Sequence, residues 1–77
     1  MPDTEKVVVG ALRSLLRRRK NEHTDITIDA DLYGDLQLDS LETAEFSAIL
    51  EDDLGRDPYT EGVVPQTVAE VIDFYGQ

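Results

Sequence analysis

The sequence predicts an all-α fold: a small four-helix-type bundle of three main helices and one short helix, with a long first loop. Three observations predict it. Two segments repeat apolar residues at i, i+3, i+4 and i+7, the spacing that gives a helix one buried face: Val8, Ala11, Leu12, Leu15, and later Val68, Val71, Ile72, Tyr75. Two capping-box patterns, Asp39 with Glu42 and Thr67 with Glu70, mark helix starts. No pair of alternating runs is present to make a sheet; "ITI" at 26–28 is short and has no evident partner.

Each element follows in order. Asp3 or Thr4 caps the first helix, with Glu5 in its first turn. Val9 and Leu16 widen its stripe, and "RRRK" at 17–20 ends it, where cations suit the negative end of the helix dipole. Residues 21–39 carry no helical stripe and read as a long ordered loop pinned by Ile26, Ile28, Leu32, Tyr33 and Leu36. A structureless loop of that length in a small domain is uncommon and often functional. The second helix starts at Asp39 or Ser40 and runs to Leu54, with Phe46, Ile49, Leu50 and Leu54 inward and Gly55 as its stop. Gly55, Pro58, Gly62 and Pro65 then leave room for one short turn near residues 59–63. The last helix begins at Thr67.

Composition bounds the function. The 77 residues make a single domain, 1–77, with a thin core; a domain this small buries only about 60% of the surface its unfolded chain exposes. There is no cysteine, hence no disulfide framework, no thiolate metal site and no thiol for catalysis. No apolar run approaches a membrane span, and the first residues lack the basic start and apolar run of a signal peptide. The expectation is a cytoplasmic monomer. A net charge of −10 disfavours nucleic acid and anionic membrane and favours basic protein surfaces. That charge is uneven: six of the seven Lys and Arg lie within residues 6–20.

The candidate site is Ser40, in "DLQLDSLETAEF". It sits where the loop becomes a helix, with no histidine or lysine within that stretch to activate it. A first helical turn offers unpaired N–H groups and a positive dipole end, a good seat for a phosphate. At about 100° per residue, Leu41, Ala44 and Ala48 lie opposite the stripe of Phe46 and Leu50, flanked by Glu45, Glu51 and Asp52. An apolar seam with an acidic border beside a serine reads as a docking surface for a basic partner.

These residues resemble a known family. "DLQLDSLETAEFSAILEDDLG" is similar to the phosphopantetheine attachment region of acyl carrier proteins: the D-S-L core, the acid after it, the "LD" before it and the acid-rich helix all match, and the helix pattern extends the likeness over nearly the whole chain. The resemblance implies a non-enzymatic carrier. A separate phosphopantetheinyl transferase moves 4′-phosphopantetheine from coenzyme A onto Ser40, with Asp39 helping to hold the transferase. Acyl or aminoacyl groups then ride as thioesters. A loading enzyme and downstream synthase or tailoring enzymes dock on the second helix, through Leu41, Ala44, Glu45, Ala48, Glu51 and Asp52. The proline-bounded "GRDPYTEGVVPQ" and the "RRRK" end depart from the fatty-acid branch. That departure implies a discrete carrier of a specialised polyketide or nonribosomal peptide pathway.

Plainer readings stand beside this one. Ser40 can be an ordinary N-cap in an acidic interaction module with no prosthetic group. "DADLYGDLQLDS" places Asp29, Asp31 and Gly34 at the first, third and sixth positions of a calcium loop. The fifth is Tyr33 and the twelfth, which needs a bidentate glutamate, is Ser40. No metal site is expected. His23 is a lone loop histidine, "RRRK" a solvated helix end, and Tyr33, Tyr59, Phe74 and Tyr75 core or rim residues.

Overall fold

The computed structural model describes residues 3–18 and 25–76. His23 and the last two residues of "RRRK" lie outside them. Helix α1 spans Thr4–Arg18, α2 Ser40–Leu54 and α3 Val68–Tyr75, with one 3-10 turn at Tyr59–Glu61. Among the described residues there is no strand, only an isolated antiparallel bridge between Asp31 and Thr67. The all-α bundle is as the sequence predicts.

Helix α1 is the central packing element and touches both α2 and α3. Its buried face is Val8, Ala11, Leu12, Leu15 and Leu16, and Asp3 begins it by accepting from the N–H of Lys6 at 3.3 Å. Phe46 and Leu50 of α2 and Val68 and Val71 of α3 join that face in one core cluster. Ile49 and Leu54 are half-buried at the edges of the α2 stripe. Gly55 ends α2 with φ of 81°, the left-handed conformation glycine adopts without a Cβ clash.

The loop before α2 is ordered by the start of α3. Leu32 N–H donates to Gln66 O at 2.8 Å, Val68 N–H to Ala30 O at 3.1 Å, and Ala69 N–H to Ile28 O at 2.9 Å. Leu32, Leu36, Leu38 and Ala30 then drop into the core. The expectation for Ile28 is corrected. Its side chain is 50% exposed, and its carbonyl, accepting from Ala69, is what anchors it. Ala30 and Leu38 fill the core positions instead. Within the same loop, Asp31 folds back on its own backbone, its Oδ1 accepting from the N–H of Tyr33 at 2.9 Å and of Gly34 at 2.8 Å. Those two bonds, from Gly34 first, hold its carboxyl below the usual carboxylate range. Among the described residues no group of three or more acids or histidines is arranged to hold a metal ion.

Asp57 lies in the interior with no exposed surface. Its Oδ1 accepts from the N–H of Tyr59 at 2.8 Å and its Oδ2 from the Thr60 hydroxyl at 2.8 Å. Burial pushes its pKa up; hydrogen bonds from Thr60, Ser47 and Tyr59 more than offset that, and the net shift is downward. The carboxylate thereby fixes the turn at Tyr59–Glu61 against α2. Removing its acceptor oxygens leaves the part-buried Tyr59 N–H and Thr60 hydroxyl without it, a loss of about 1–3 kcal/mol each where water cannot replace it. We expect Asp57→Ala to lower stability by at least about 2 kcal/mol in urea unfolding at pH 7. A group with a depressed folded pKa stabilises fully above its unfolded value and loses that contribution as pH falls through the folded one. Stability of the wild type should therefore drop below about pH 4, with a shallower drop in Asp57→Asn.

Candidate functional site

The site forms at the junction of the long loop and α2. Leu36 and Leu38 are both buried, and Gln37 between them takes φ of 56°, a left-handed conformation unusual for a residue with a Cβ. That turn, with Leu38 N–H bonded to Leu32 O at 3.0 Å, delivers Asp39 in an extended conformation to the helix start.

Asp39, not Ser40, is the N-cap. Its Oδ1 accepts from the N–H of Glu42 at 2.7 Å, and its own N–H donates to Glu42 Oε1 at 3.2 Å. The capping box is complete in both directions, and Glu42 is buried by it. Asp39 O also accepts from the N–H and hydroxyl of Thr43, at 2.9 and 2.8 Å. The reading in which Ser40 serves as the cap is thus corrected: a better-placed carboxylate one residue earlier fills that position. Ser40 is the first helical residue, it is exposed, and no hydrogen bond from the described residues reaches its Oγ.

The backbone donors of the two capped helices differ. A helix start leaves four N–H groups without intrahelical partners. In α3 all four are satisfied: Thr67 N–H by Glu70 Oε2, Val68 by Ala30 O, Ala69 by Ile28 O, Glu70 by Thr67 Oγ1. In α2 the box satisfies Asp39 and Glu42, and the N–H groups of Ser40 and Leu41 have no partner among the described residues. An exposed hydroxyl and two open donors at the positive end of a helix suit a phosphate ester.

The outward face of α2 matches the expected seam. Leu41 is 69% exposed, and Ala44, Ala48, Glu51 and Asp52 are exposed along the same helix. Glu45 differs from the rest. It is half-buried and ion-paired with Arg18 of α1. The pair lines two open pockets that share Leu15: one continues along Ser14, Arg17, Ala48 and Ile49, the other along Asp39, Leu41 and Glu42 at the helix start. Sequence reasoning missed the Arg18–Glu45 pair, since nothing in a single helix's periodicity reports a contact between helices. The open donors were foreseen only in kind: which two remain open depends on the completed box.

A family model described as the phosphopantetheine attachment site matches residues 6–61, a span that takes in α1, the long loop, α2 with Ser40, and the 3-10 turn. No curated protein matches the chain.

The geometry separates the two neighbours at the helix start. Asp39→Ala should cost about 0.5–2 kcal/mol through the lost cap, while Ser40→Ala should stay within about 0.5 kcal/mol of wild type in the same denaturation series. A larger loss from Ser40→Ala than from Asp39→Ala would contradict the assignment of the cap.

Proposed function

The chain belongs to the phosphopantetheine attachment site family, and we propose that Ser40 is where its arm is attached. Domains of this acyl-carrier type hold 4′-phosphopantetheine covalently and are not themselves catalytic. The observation that carries the assignment is the capping box. Because Asp39 and Glu42 satisfy each other, the Ser40 hydroxyl has no structural duty, and it stands exposed beside two open N–H donors. Nothing in the fold is lost when that oxygen becomes an ester.

The chemistry follows from this placement. Ser40 Oγ forms a bond to the phosphorus of coenzyme A that bears the pantetheine. The pyrophosphate P–O bond breaks, 3′,5′-ADP leaves, and the hydroxyl proton passes to a base. In this reading the base belongs to the transferase, since Asp39, the nearest acid in sequence, has its Oδ1 held in the cap. The open N–H groups of Ser40 and Leu41 face the resulting phosphodiester. Once attached, the arm supplies the thiol for thioester bonds that this cysteine-free chain lacks.

The cargo in this reading is an acyl or aminoacyl group of a specialised polyketide or nonribosomal peptide pathway. The proline-bounded segment before α3 and the basic end of α1 support that branch. The partners are a phosphopantetheinyl transferase, a loading enzyme and downstream synthase or tailoring enzymes, meeting a cytoplasmic carrier that draws on coenzyme A. They dock on Leu41, Ala44, Ala48, Glu51, Asp52 and Glu45, an apolar line with an acidic border that fits a basic partner with an apolar tip.

Two experiments test this. Incubated with coenzyme A, magnesium and a broad-specificity phosphopantetheinyl transferase, the wild type should gain one phosphopantetheine by intact mass, and Ser40→Ala none. No gain by a folded wild type, with a control carrier modified, would return the chain to an interaction module. Leu41→Ala should raise the transferase KM for the carrier several-fold while leaving thermal unfolding nearly unchanged, because an exposed leucine contributes little to the fold; an unchanged KM would remove Leu41 from the interface.

A further inference from the structure

The ion pair between Arg18 and Glu45 lines both pockets, the second of which reaches Asp39 and Leu41, the residues on either side of Ser40. Its partners come from different helices. Arg18 closes α1, and Glu45 lies little more than one turn from Ser40 on α2. The arginine side chain is 63% exposed and the glutamate 32%, so the carboxylate is the less accessible of the two. A partner's cation that pairs with Glu45 has to share it with Arg18 or displace it. The pair also borders the apolar lining of Leu15, Ala48 and Ile49, so the acid and the apolar surface that a basic, apolar-tipped partner needs lie side by side.

We propose that Arg18 is a specificity-determining residue: an intramolecular competitor that occupies Glu45 and must be displaced before a basic partner docks beside Ser40. The inference rests on the reading of α2 as the docking helix. Partners able to displace an arginine, with their own guanidinium in bidentate geometry, pass this filter better than partners offering lysine, whose point charge forms a single weaker bond. Exposed pairs of this kind are weak. The competitor therefore tunes docking rather than blocking it, and its removal changes apparent affinity by no more than about fivefold.

The test uses the same transferase reaction, with the carrier as varied substrate. Arg18→Ala should lower KM for the carrier about two- to fivefold with kcat unchanged. Arg13→Ala is the charge-matched control. Arg13 is exposed, has no ion pair among the described residues, lines neither pocket, and leaves Glu45 paired when removed. It should leave KM unchanged within error. In a Glu45→Gln background the Arg18→Ala gain should vanish, because nothing is left to uncover. An unchanged or raised KM in Arg18→Ala overturns the proposal. So does an equal fall in Arg13→Ala, which marks general charge repulsion, or a fall that survives Glu45→Gln. Absence of any modification of wild type, with a control carrier modified, instead overturns the carrier assignment itself and the proposal with it.

Discussion

The reciprocal bond between Asp39 and Glu42 is the constraint on which the site depends. A helix start must satisfy its first N–H groups, and serine is among the residues best suited to do so. Here an aspartate one position earlier takes that role, with Oδ1 at 2.7 Å from Glu42 N. The glutamate returns the bond and is buried in doing so. The serine next to them is thereby released from structural work. A hydroxyl that has to be covalently modified without loss of the helix needs that release.

The rest of the fold aims this junction. The long loop is irregular in backbone yet closely held. Its carbonyls at Ile28 and Ala30 satisfy the first N–H groups of α3, and Leu32 donates to Gln66. The same segment sends Leu32, Leu36 and Leu38 into the core. Loop and α3 therefore complete each other, which explains why a domain with so little interior tolerates so long a connection. It also explains the contrast between the two capped helices. The donors at the start of α3 face the loop and are all paired, while those of Ser40 and Leu41 face solvent.

Much of this was legible in the sequence, and the remainder was hidden for physical reasons. The stripes on α1 and α3 reported the core because burial follows the 3.6-residue period. The spacing of Asp39 to Glu42 reported the box because that bond is local. Ser40, the proposed attachment point, stands out in the sequence by its triplet and surroundings. Three things were out of reach. Ile28 is exposed because its anchoring is through a carbonyl, which a side-chain pattern does not register. Gln37 adopts φ of 56° at a residue type with no preference for that region, forced by the buried leucines on either side. The pairing of Arg18 with Glu45 depends on how α1 lies against α2, and "RRRK" read alone was only a solvated helix end.

In the proposed reading the arm is added at Ser40, a position the fold has already vacated. The most direct measurement compares backbone amide NMR spectra of the protein before and after phosphopantetheinylation. Shifts should concentrate at the amides of Ser40 and Leu41, the two open donors, with the capped amides of Asp39 and Glu42 and the α3 start nearly unmoved. Large shifts or faster hydrogen exchange at Glu42 and Asp39, with those at Ser40 and Leu41 no greater, would show that attachment remodels the helix start, and would contradict the claim that the capping box leaves the serine free.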